Sequence, residues 1–260
     1  MFLIKLGGSS ITDKAKQYVF KEAVMDRLSR EIKESEQEIM LVHGAGSFGH
    51  ILAKQHALQQ GYTQKSQLQG FSQTHAMVQH LNSYVLASLH KHDIPAVSLP
   101  PHAVLRLDNH APLEMNFSFF GEYLHQGFTP VTFGDVVLDK TLGFSICSGD
   151  LLMLLLADYF KPEKILFVLD EDGIYTSNPK MDANAEFVET ATIADLENLT
   201  TSADDHADVT KGMQGKIETI KNISRLGIDT VLLNGNIDNR LYDTLVGKKT
   251  THTLVYGEKR

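Results

Sequence analysis

Gly44, Gly46 and Gly49 fall within the eight residues HGAGSFGH, His43 to His50, in a Gly-x-Gly-x-x-Gly spacing. Glycines so placed let backbone N–H groups approach a phosphate closely, and a helix that starts there adds partial positive charge. The apolar run Ile39-Met40-Leu41-Val42 comes just before the loop, and a helical pattern, SFGHILAKQHAL, follows it. Dinucleotide-binding folds use the same spacing, but they also need a carboxylate about 20 residues further on to hold the ribose. Counting on from Gly44 reaches Gln64, and no Asp or Glu occurs from Ile39 through His92. That stretch carries Lys54, Lys65 and Lys91 and seven of the chain's twelve histidines. An acidic protein that keeps negative charge out of this segment favours an anionic ligand there and argues against NAD. His50, just inside the expected helix start, is placed to reach a phosphate oxygen, whereas His43 reads as a packing residue.

Three other stretches accompany the loop. In KLGGSSITDK, Lys5 lies within a strand-like run, where a lysine needs a partner. Gly7-Gly8-Ser9-Ser10 then forms a second phosphate-type loop, and Lys14 either folds back over it or is a solvated surface residue. In DVTKGMQGK, Thr210 is a reasonable helix cap, and Gly212 and Lys216, four apart, share one helix face. Ser148-Gly149-Asp150 opens an apolar helical run, so Asp150 either caps that helix or positions lysines in a site crowded with positive charge. A Walker A loop would need glycine at Thr210 and Ser or Thr at Ile217, and it is absent. The histidines form no metal motif, since HEXXH is missing and His75 and His80 are five apart, so no protein-held metal is expected. Cys147, the single cysteine, reads as a small buried residue rather than a nucleophile.

The elements that must carry these residues are legible as well. FLIKLGG, IMLVHGAG, ILFVLDEDG and TVLLNGN are nearly continuous apolar runs, the pattern of strands buried on both faces. Helical patterns lie between them: Phe20, Val24, Leu28 and Ile32 in one, and Phe71, Val78, Leu81, Val85 and Leu89 in another. The run LLMLLLADYF is apolar nearly all round and should be buried. This alternation predicts an α/β fold, a three-layer αβα sandwich around a mainly parallel open central sheet, with ligands beyond the carboxyl ends of the strands. A boundary near Lys161-Pro162-Glu163 divides residues 1–162 from 163–260, as two lobes on one continuous sheet, and Thr200 to Asp208 reads as an exposed loop. A net charge of −8 argues against a nucleic-acid binder. No apolar run is long enough to span a bilayer, and a single cysteine fits a reducing compartment, so a cytoplasmic protein without membrane or nucleic-acid partners is expected.

Taken in order, KLGGSSITDK, HGAGSFGH, GFSQTHAM, PVTFGDV, ICSGD, LDEDGIYTSNPK, DVTKGMQGK and LLNGN resemble the amino acid kinase superfamily, and within it the isopentenyl phosphate kinases. The histidine that closes GSFGH is the most discriminating piece. The resemblance implies transfer of the γ-phosphoryl group of ATP to isopentenyl phosphate, a prenyl phosphate. It places Lys5, Leu6, Gly7, Gly8 and Ser9 on the ATP phosphates, Lys14 on the transferring group, and Ala45 and Gly46 along the phosphate sites. His50 and Gly149, near Gly49, would bind the acceptor phosphate, and Asp150 would orient lysines. Asp170, Tyr175, Gly212 and Lys216 would serve the nucleotide, and Phe71, Val131 and Ile146 the hydrocarbon tail. Residues 1–162 would then hold the acceptor and the ATP phosphates, and residues 163–260 the nucleotide. Magnesium would accompany ATP, held by phosphate oxygens and water, and a homodimer is implied. Two departures stand out: Lys211 replaces a usual glycine, and Ala45 stands where glycine is frequent. A fosfomycin-type or other phosphonate or phosphate kinase of the same fold, and a non-catalytic nucleotide or oxyanion binder, are the alternative readings.

Overall fold

The computed structural model describes residues 1–177, 179–180, 182–198 and 212–259. Thr210, Lys211 and the stretch from Thr200 to Asp208 lie outside the described residues. The chain opens with strand β1 (Phe2–Leu6), a short helix α1 (Gly8–Ile11) and helix α2 (Glu22–Ser35). Strand β2 (Ile39–His43) leads through the glycine loop into α3 (Gly46–Gln55) and then the long α4 (Gln67–Lys91). Next come β3 (Ala96–Ser98), α5 (Pro101–Val104), β4 (Leu105–Asp108), β5 (Ala111–Met115) and α6 (Ser118–His125). Strands β6 (Thr129–Phe133), β7 (Asp135–Asp139) and β8 (Gly143–Cys147) precede helix α7 (Gly149–Phe160). The remainder holds β9 (Lys164–Leu169), β10 (Ile174–Tyr175), β11 (Phe187–Val188), β12 (Thr190–Ala191) and α8 (Ile193–Asn198). Helix α9 (Gly212–Arg225), β13 (Thr230–Asn234), α10 (Arg240–Leu245) and β14 (Thr253–Val255) complete it.

Among the described residues eight strands make the main sheet, in the order β12-β14-β13-β9-β1-β2-β6-β3. All neighbours are parallel except β13 and β14. Because β9 pairs directly with β1, strands from either side of Pro162 share one sheet. Side chains alternate across it. Phe2, Ile4 and Leu6 pack with Leu28 and Ile32 of α2 and Leu81 and Val85 of α4, while Leu3 packs with Leu152 of α7 and Ile220 of α9. That makes three layers, and each fully buried aliphatic or aromatic side chain contributes about 1.5–3 kcal/mol. A second sheet, β5-β4-β7-β8, stands beside the first. Phe20 is not in a helix as its spacing suggested: it bridges Thr12, and α2 begins two residues later. Among the described residues no helix is long and apolar enough to cross a membrane.

Candidate active site

The two glycine loops leave the carboxyl ends of adjacent strands and press against each other. Gly7 donates its N–H to the Val168 carbonyl at 2.8 Å, and Gly44 donates to Leu6 at 3.0 Å, so both turns are tied to the sheet. A Cβ on Gly8 would lie 2.6 Å from the Gly46 Cα, and one on Gly44 would lie 2.7 Å from the Gly8 nitrogen. Gly46 also has a φ of +50°, which favours glycine. Thr12 stitches the loops together: its hydroxyl donates to the Gly8 carbonyl at 2.7 Å and accepts from the Ser47 N–H at 3.1 Å. Beside them the Ser47 hydroxyl is buried and has no hydrogen-bond partner among the described residues, a donor suited to an anion held by the loops. Ala45 adopts ordinary helical angles (φ −67°, ψ −21°), which explains why this position does without glycine.

Opposite the loops, two lysines share one carboxylate. Lys5 Nζ lies 2.6 Å from Asp150 Oδ1, and Lys216 Nζ lies 3.2 Å from the same oxygen. Gly149 makes room for this, since a Cβ there would come within 2.9 Å of Lys5 Cε. The cap of α7 is Ser148, whose hydroxyl accepts the Leu151 N–H at 3.1 Å, so Asp150 is left to the lysines. Burial pushes Lys5 down to about 8 despite the attraction of Asp150. For Asp150 burial acts upward, but Lys216 and Lys5 outweigh it and hold the carboxyl well below the usual range. At neutral pH the cluster therefore carries a net positive charge, a place for phosphate.

These features line one cleft of about 190 Å³. Lys5, Gly7, Gly8, Ser9, Lys14, Ala45, Gly46, Gly49, His50, Ile146, Gly149, Asp150, Asp170 and Lys216 all reach it. Asp170 closes one end, taking a 2.7 Å hydrogen bond from the Ser9 hydroxyl with Lys14 Nζ 4.0 Å away. Burial alone would raise its pKa, but Lys14 and Ser9 bring it below the ordinary carboxylate value. His50 lies in the second turn of α3, on the glycine-loop wall.

The sequence profile of the amino acid kinase family matches residues 1–234. The chain belongs to the amino acid kinase family. Within it, the chain is 34% identical to an isopentenyl phosphate kinase of Methanothermobacter thermautotrophicus, over 99% of this chain and all of that one. It is 31% identical to an isopentenyl phosphate kinase of Methanocaldococcus jannaschii, over 95% of each chain. An X-ray structure of an isopentenyl phosphate kinase superposes with a TM-score of 0.87 at 31% identity, covering 98% of this chain and 99% of that one.

Not every residue expected at the site of this amino acid kinase reaches the cleft. Leu6 alternates away from Lys5 into the core beside α2, leaving only its backbone near the loops. Val131 pairs with Leu41 in the sheet and is fully buried in the same core, outside the cleft lining. Phe71 stands one layer behind the cleft, packed with Phe144 and Ile146, and of the three expected tail residues Ile146 reaches the lining. Tyr175 sits on the β10–β11 hairpin against Phe187, outside the lining, and Gly212 starts α9 one residue before Met213, which does line it. His43 is a packing residue, stacked on Phe133 at 5.0 Å, with burial pushing it down to about 4. Cys147 is buried and its thiol is pushed up by that burial. Sequence reasoning missed Thr12, whose only signal was its place four residues after Gly8. It also missed Asp135, which lines the cleft and receives His75 Nδ1 at 2.7 Å, because its partners lie far away in the chain.

Proposed function

We propose that this amino acid kinase transfers the γ-phosphoryl group of ATP to isopentenyl phosphate, giving isopentenyl diphosphate and ADP. The observation that carries the reading is a single cleft with interlocked glycine loops on one wall and the Lys5–Asp150–Lys216 cluster on the other, His50 among its lining. The relatives named for this reaction, aligned over nearly the whole chain, support the choice of acceptor.

The second pKa of a phosphate monoester is about 6, so near pH 7 the acceptor is mostly a dianion and needs no general base. Its oxygen attacks the γ-phosphorus, the bond to the β,γ-bridging oxygen breaks, and ADP leaves with that electron pair. The obstacle is repulsion between two anions. Lys5, Lys216 and Lys14 offset the charge, Asp150 keeps two of them aligned, and backbone N–H groups of Gly8, Ser9 and Gly46 hold the phosphates in line. His50, with Gly49 and Gly149, holds the acceptor phosphate. Asp170, Tyr175 and Gly212 serve the nucleotide, and Ile146 with Phe71 behind it bounds the tail. Asp150 and Asp170 each face a lysine already, so magnesium brought with ATP would be held by phosphate oxygens and water. When bound, it neutralises phosphate charge. Residues 1–162 carry the acceptor and phosphate loops and 163–260 the nucleotide side. A cytoplasmic homodimer completes the reading.

The test is turnover with Mg-ATP and isopentenyl phosphate, with fosfomycin and other phosphonates as rival acceptors, followed by ³¹P NMR. His50→Ala should cut acceptor turnover about 100-fold, the scale of losing one oxyanion donor, and leave ATP affinity unchanged. ADP release with fosfomycin alone, or none with any acceptor, would overturn the assignment.

A further inference from the structure

Asp135 is buried, yet among the described residues no lysine or arginine lies within ion-pair distance of it. Its side-chain neighbours are two histidines from elsewhere in the chain: His75 on α4, with Nδ1 2.7 Å from Oδ2, and His102 on α5, with Nδ1 3.7 Å from the same oxygen. The two imidazoles meet edge to face at 4.2 Å, and one donor atom from each of the three residues lies within 4.8 Å of the others. Among the described residues no other group of three such side chains converges in this way. We propose that His75, His102 and Asp135 bind a divalent cation of the zinc type at the edge of the cleft.

Three arguments support this assignment. Burying a carboxylate is costly unless its charge is matched. The other cleft carboxylates, Asp150 and Asp170, are matched by lysines, whereas Asp135 has only two imidazoles beside it, whose charge depends on protonation, and no permanent charge. A dication supplies that charge. The donor set is also selective: two imidazole nitrogens and one carboxylate oxygen suit zinc and its neighbours, whereas magnesium prefers an all-oxygen shell and keeps its water. Finally, the geometry needs little change. Ligand bonds of about 2.0–2.2 Å in a tetrahedron put donor atoms about 3.3–3.6 Å apart. The observed 2.7 and 3.7 Å lie on either side of that spacing and all three donors lie within 4.8 Å of one another, so rotation of the half-buried His75 ring and the exposed His102 ring makes room. The other oxygen of Asp135 accepts the Val136 N–H at 2.8 Å, which fixes the carboxylate with Oδ2 toward the histidines. Solvent reaches the histidine side, His75 and His102 being 28% and 37% exposed, so a water can complete the shell.

The experiment uses the full chain, stripped with a chelator and dialysed into excess magnesium. Co²⁺ is titrated by its visible absorption bands, and Zn²⁺ by calorimetry. One saturable equivalent is expected, with Zn²⁺ displacing Co²⁺ and raising the melting temperature. His75→Ala and His102→Ala should each weaken binding by more than about 100-fold, beyond the roughly 10–100-fold that an outer-shell change costs, while His80→Ala, whose ring pairs with Tyr84, should bind as before. His102 is exposed enough that its removal leaves the fold intact, so this variant decides the matter even if His75→Ala misfolds. Failure of the stripped protein to bind either ion saturably, displacement by magnesium, or unchanged affinity in His102→Ala would overturn the site. None of these outcomes depends on which acceptor the kinase uses.

Discussion

Replacing Asp150 by Asn keeps the shape of the side chain and removes the one negative charge between Lys5 and Lys216. Lys5 is 6% exposed and Asp150 8%, so solvent screens this cluster little. Deleting one partner of a buried ion pair typically costs about 3–5 kcal/mol, because the remaining charge stays buried without compensation. At the lower end that lowers the melting temperature of a chain this size by roughly 6–12 °C. The deficit should depend on pH in a definite direction. Lys5 titrates near 8 in the folded protein against an ordinary 10.5, so between those values the unfolded chain binds more protons and stability rises with pH. Without Asp150 the folded value drops further, the favourable window opens at lower pH, and the gap between variant and parent narrows as the buffer moves from neutral to alkaline. A polyanion supplies the missing charge, so ATP should stabilise Asp150→Asn by more degrees than it stabilises the parent. Differential scanning fluorimetry across pH, with and without ATP, reads all three effects. A variant that melts within a degree of the parent at neutral pH, or whose deficit grows in alkali, would refute the electrostatic account of this cluster.

Other expectations follow from the same geometry. As pH rises past about 8, kcat/KM for ATP should fall as free-enzyme Lys5 loses its proton, whereas the limb in kcat should lie at higher pH because bound phosphates hold that proton on; a profile flat well beyond 8 contradicts this. Gly8→Ala forces a methyl against Gly46, and overpacking of this kind costs about 1–3 kcal/mol. Melting temperature should therefore drop and the KM values for donor and acceptor should rise together. Ile146→Phe should shorten the tail side of the cleft and penalise longer prenyl phosphates selectively, as measured by kcat/KM against chain length. Equal loss at every length would point instead to a damaged fold.

The layers and the paired glycine loops were legible because they rest on local rules. Runs such as Phe2–Leu6 and Ile39–His43 announce buried strands by composition, and the glycines that follow them announce the loops. A lysine inside such a run required a partner, and Asp150, 145 residues on, is that partner. What stayed hidden depends on which way a side chain faces and on convergence over long separations. In strands buried on both faces no solvent-exposed side marks which residues look toward the cleft, and Leu6 and Val131 face the core instead. Thr12 gives no pattern of its own, since its work consists of two hydrogen bonds to loops it does not belong to. His75, His102 and Asp135 stand on three elements whose approach only the sheet order decides, which is why no metal-ligand spacing appears along the chain.

With Gly8, Gly44 and Gly46 in backbone contact and Thr12 bonded to both turns, the separation between the two glycine turns, the phosphate cradles of the proposed reaction, is fixed mainly by main-chain bond lengths and angles. The distance over which a phosphoryl group travels is then insensitive to ordinary point substitution. Adaptation to new acceptors is channelled to α4 and β8, where a change of side chain can alter the guest without moving the jig that holds the reacting ends.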